Sequence, residues 1–79
     1  MVAAMIRTDN ELIAELEAVM QRLRELELIT SNMERFFDVG EWLLCFEGAW
    51  MLARDDPDHP LQSDKSYLAL VAYFAGELA

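Results

Sequence analysis

Asp55, Asp56, Asp58 and His59 place four potential metal-ligating side chains within five residues. A calcium loop begun at Asp56 needs glycine at its sixth position for the turn and a glutamate to close the site. Leu61 stands at the sixth position and no glutamate closes the loop. A histidine among carboxylates, between Pro57 and Pro60, therefore reads as a solvated turn open to a partner, with no metal expected. Cys45 is the single cysteine, which excludes an internal disulfide and a multi-cysteine metal framework. It lies in an apolar run, where a small buried thiol is expected rather than a nucleophile. Carboxylates do recur at helical spacing, Glu11 with Glu15 among them. A general acid, however, needs burial or a close like charge to raise its pKa, and these residues fall on a solvated face. No Ser/His/acid or Cys/His spacing, glycine-rich phosphate loop or histidine-containing zinc pattern is found. The chain is expected not to be an enzyme and to hold no cofactor.

Binding remains, and charge bears on it directly. Fifteen acids against six bases give a formal net charge of −9 in 79 residues, while 54% of the chain is hydrophobic. Disordered acidic tails are poor in apolar residues, so a folded domain is expected. A nucleic-acid binder must neutralise phosphates with Lys and Arg, so direct nucleic-acid binding is not expected. An anionic membrane surface would repel the chain for the same reason. The longest apolar run, Trp42 to Phe46, is far shorter than the roughly 20 residues of a membrane span. No basic n-region precedes an apolar h-region, so no signal peptide is expected and the cytoplasm is the default compartment. A chain of this size buries only about 60% of its unfolded surface, so part of its apolar content is available for burial between chains.

Sparse glycine and proline between long periodic runs predict helices, with residues 1–79 forming one domain. Thr8 with Glu11 forms a capping box, followed by a stripe of Leu12, Leu16, Val19, Leu23 and Leu26. This predicts a helix over residues 9–28. Ser31 with Glu34 reads as a second capping box, opening a short helix over 32–38 that Gly40 ends in the left-handed conformation. Residues 41–54 are apolar nearly all round. Trp42, Cys45, Phe46, Ala49, Trp50, Leu52 and Ala53 share one broad face, while Leu44 and Met51 fall outside it. Such a helix is central or doubles as an interface. Ser63 or Asp64 caps a last helix over 64–78, with Tyr67, Leu70, Val71, Phe74 and Leu78 as its stripe. The expected fold is all-α, a small compact antiparallel bundle of about four helices with the second one short.

The acids are not spread evenly. Residues 31–79 carry nine acids against Arg35, Arg54 and Lys65. Self-repulsion of this kind costs stability, and steering a basic partner into contact is the benefit that would offset it. The candidate partner-binding residues are the carboxylates Asp38, Glu41, Glu47, Asp55, Asp56 and Asp58, together with Trp50, Met51 and Tyr73. Trp50 and Tyr73 are the aromatics set at or beyond the edges of their apolar faces, where interface anchors are found.

The segment Asp38-Val-Gly-Glu-Trp-Leu-Leu-Cys-Phe-Glu47 follows a short helix and precedes an acidic, proline-bearing loop and a last helix. In this order it resembles the MafI-type immunity proteins over about residues 33–78. Glu41, Trp42, Phe46 and Glu47 occupy the motif positions, while Cys45, Trp50 and Met51 are bulkier than the small residues expected in that helix. The resemblance implies a small acidic helical protein, encoded beside a bacterial secreted toxin that it binds and neutralises. Many such toxins are nucleases with basic substrate grooves, which an acidic protein could cover. Two other functions fit the composition. One is a phage-type acidic inhibitor or nucleic-acid mimic, and the other is a structural module whose apolar surplus forms a homodimer.

Overall fold

A threonine hydroxyl starts each of the first two helices in the computed structural model, which describes residues 6–78. Thr8 accepts the Glu11 N–H at 3.2 Å and opens α1, Asp9–Glu25. The Glu11 carboxylate reaches back past the cap residue to the Arg7 N–H, at 3.2 Å, and also accepts from the Thr8 hydroxyl. The cap of α2, Ser31–Asp38, is Thr30 rather than Ser31: its hydroxyl accepts the Met33 N–H. The helix thus begins one residue early. Met33 occupies the position a capping-box glutamate would need and turns into the core.

Helix α1 ends at Glu25, short of the expected residue 28. The Leu28 N–H donates to the Leu23 carbonyl at 2.7 Å and the Glu27 N–H to the Arg24 carbonyl at 3.0 Å, which together form a Schellman turn. Glu27 takes the left-handed position at φ 59°. The turn reverses the chain so that Leu28 packs against the core. A side chain in this conformation costs about 1–2 kcal/mol relative to the right-handed region. Glu27→Gly is therefore expected to raise the unfolding free energy by about 1 kcal/mol, measured by urea denaturation. A loss of stability would show that the Glu27 side chain contributes more than its backbone strain costs.

The same turn closes α2, where Gly40 at φ 78° fills the left-handed position as its residue type predicts. The Glu41 N–H donates to the Phe36 carbonyl at 2.9 Å, and the chain enters α3, Trp42–Ala53. Pro57 and Pro60 break the helical pattern, but the segment after the loop is more ordered than a plain turn. Pro60–Ser63 form a 3-10 turn, missed in the hydrophobic pattern because it is a single turn with one buried residue, Leu61. The Gln62 amide anchors it by donating to the Ala53 carbonyl at the end of α3. Asp64, not Ser63, caps α4, Lys65–Tyr73, by accepting the Tyr67 N–H at 3.0 Å.

Helix α4 stops at Tyr73 instead of continuing to residue 78. The last carbonyls are taken up in tighter turns, Ala72 by the Ala75 N–H and Phe74 by the Glu77 N–H. Leu78 folds back to pack on the core. Residues 1–5, where a leader would begin, and Ala79 lie outside the described residues.

The described residues form a compact all-α domain of four α-helices without strands. Helix α1 packs on α4 and α2 on α3, α1 also meets α3, and the 3-10 turn joins α3 to α4. The radius of gyration is 11.6 Å. A compact domain of this length is expected at about the same value. The stripe of α1 is buried as predicted at Leu12, Leu16, Val19 and Leu23, with Leu26 half-buried, and that of α4 is buried at Tyr67, Leu70 and Phe74. Tyr67 is wholly enclosed, and its hydroxyl has no hydrogen-bond partner among the described residues. Burial raises its pKa above 10.0. Tyr67→Phe removes this unpaired group while keeping the ring, so a gain of about 1 kcal/mol in unfolding free energy is expected. An equal loss would reveal that the hydroxyl is in fact satisfied.

Candidate functional site

Helix α3 sets the geometry, because it is apolar on both sides. Its inner side is core. Phe46 is fully buried, with its ring stacked on Phe74 at 5.7 Å and tilted against Tyr67 at 5.5 Å. Trp42 is half-buried and meets Phe37 edge-on at 5.3 Å. These two members of the 38–47 motif therefore serve the fold, while Glu41 is exposed and Glu47 half-exposed.

Cys45 is buried, its sulfur 3.8 Å from that of Met20. Burial pushes its thiol pKa up to about 11 from 9.0. An unfolded chain loses this proton near pH 9 while the folded chain retains it to about 11. Proton loss then favours the unfolded state, and stability falls as pH rises through that window, by up to about 1.4 kcal/mol per pH unit. Cys45→Ala is expected to flatten this decline in alkaline denaturation curves, and the native thiol should resist alkylation at neutral pH until the chain unfolds. Rapid native alkylation would contradict the burial.

The outer side of α3 carries Leu44, Met51 and Leu52, all exposed, Met51 to 69%. Leu52 departs from the expected inward face. Trp50 is half-buried against the core, and its indole N–H is covered and has no hydrogen-bond partner among the described residues. The exposed residues border a shallow groove of about 320 Å³ between α2 and α3, floored by Met33, Phe36 and Gly48. Gly48 permits this close approach, since a Cβ there would stand 2.5 Å from the Met33 Cε.

The acidic candidates do not gather into one patch. Glu41 and Asp55 flank opposite ends of α3, roughly 20 Å apart along the axis at 1.5 Å per residue. Asp38 lines a separate open cleft of about 710 Å³ between α1 and α2, with Glu17, Glu34 and Arg24. Asp55, Asp56 and Asp58 are exposed in the loop after α3. The Asp56 carboxylate accepts the Asp58 N–H at 3.0 Å, and Nδ1 of His59 accepts the Leu61 N–H at 3.1 Å. These bonds use Asp56 and His59 to shape the turn. Tyr73 is exposed on α4, edge-on to Phe74 at 4.9 Å, and is not among the residues that line the groove.

Sequence reasoning missed Leu44 and Leu52 as surface candidates, although Leu44 had already fallen outside the inward face. The joining of Glu17 and Glu34 with Asp38 could not be read from helical periodicity, because it depends on how α1 meets α2. Two ion pairs form among the described residues, Arg22 with Glu25 and Arg54 with Asp55, each at 3.4 Å and exposed. Most carboxylates are left facing solvent. Among the described residues, no group of three or more His, Cys, Asp or Glu is placed to hold a metal ion, and no helix is long and apolar enough to cross a membrane. No family model, curated protein or solved structure matches the chain.

Proposed function

We propose that the chain is a cytoplasmic acidic binding protein of the immunity type, which neutralises a cognate secreted toxin by covering a basic surface. A nuclease is the toxin class favoured, because its phosphate-binding groove supplies the complementary charge. The observation that carries this reading is the acidic surface made by half-exposed Glu47 and the exposed Asp55, Asp56 and Asp58, whose one ion pair among the described residues is Asp55 with Arg54, beside exposed Met51. Opposite charge speeds encounter, and the apolar contact then retains the partner. Co-expression with the product of the neighbouring gene tests the function. Restored growth and co-purification are expected, whereas a neighbour that is non-toxic, or toxic and never bound, removes the proposal.

The exposed strip Leu44, Met51 and Leu52 favours a second reading, a homodimeric structural module. It requires two chains of charge −9 to meet. Light scattering at low protein concentration separates the two, since only the module is dimeric without its partner.

A further inference from the structure

We infer that the groove between α2 and α3 is a docking site for a basic amphipathic helix of the partner, an assignment that rests on the binding function proposed above. The groove is apolar at its floor, Met33 and Phe36, and along its wall, Leu44, Met51 and Leu52. From Leu44 to Met51 the wall spans two helical turns, about 10 Å at 1.5 Å per residue. This length suits an occupant helix presenting apolar side chains at i, i+3 or i+4, and i+7. Met51 and Met33 are flexible and polarisable, so they can reshape around such side chains.

Charge selects the occupant. Glu47 lies three residues after Leu44 and four before Met51, hence on the same ridge of α3. Asp55 lies in the turn just after α3 and engages Arg54. The residues that line the groove carry no charge of either sign, so the charge beside it is that of Glu47 on the α3 ridge. A second copy would bring another charge of −9 to this rim, whereas a helix with Lys and Arg flanking its apolar stripe would complement it.

The probe is a synthetic amphipathic helix of Leu and Lys, with a scrambled peptide of equal composition as control. Binding of the ordered peptide, weak binding of the scrambled one, and shifts in the Met33 and Met51 methyl resonances of the unaltered chain are expected. Leu44→Gln with Met51→Gln leaves the charge unchanged and should weaken binding roughly tenfold or more. Equal binding of both peptides, or unshifted methionine methyls, would overturn the groove. Full affinity of the double variant for the toxin would also overturn it while leaving the immunity function standing. Methyl shifts that depend on chain concentration without peptide would assign the groove to a second copy instead.

Discussion

Phe46→Ala is expected to lower the unfolding free energy by about 3–5 kcal/mol, which leaves little folded protein at 25 °C. Phe46 has no exposed surface and its ring lies between α3 and α4, against Phe74 and Tyr67. Removing it opens a cavity where α3 and α4 meet. A domain of this length has only a few kcal/mol in reserve, because its single core is small. Urea titration followed by tryptophan fluorescence measures the effect. A cost below about 1 kcal/mol would mean that the core can collapse around the missing ring and that Phe46 is not its keystone.

Asp55→Lys combined with Asp58→Lys is expected to slow association with the proposed toxin partner by roughly tenfold or more at low salt. The dependence of the association rate on ionic strength should flatten in the same variant. Asp56 is kept because its carboxylate accepts the Asp58 N–H and holds the turn. Stability should change little, since both substituted residues are exposed and the Arg54–Asp55 pair lies at the surface. Stopped-flow mixing with the toxin gives the rates. Unchanged association would move the steering surface to the cleft that holds Glu17, Glu34 and Asp38.

Much of the fold was legible because periodicity and cap chemistry act locally. The stripe from Leu12 to Leu23, the Gly40 turn and the Asp64 cap all follow from residues close together in the chain. Helix ends were less legible. Glu27 in a left-handed conformation carries no glycine to announce it, and the withdrawal of α4 at Tyr73 depends on where Leu78 finds the core. Helix α3 was hardest for a related reason. When nearly every residue is apolar, hydrophobicity cannot say which side faces inward, so Leu52 and Trp50 were placed by geometry alone. The groove depends on Gly48 meeting Met33 across two helices, a pairing that no local pattern encodes. The acidic surface was legible as charge, but its division between an α1/α2 cleft and the loop after α3 was not.

The proposed immunity function is tested most directly by titrating the purified chain into the product of the neighbouring gene, recording that protein's toxic activity and the association rate at several salt concentrations. Complete inhibition at a fixed stoichiometric ratio is predicted, with the association rate falling as ionic strength rises. A toxin that stays fully active in molar excess of the chain would contradict it.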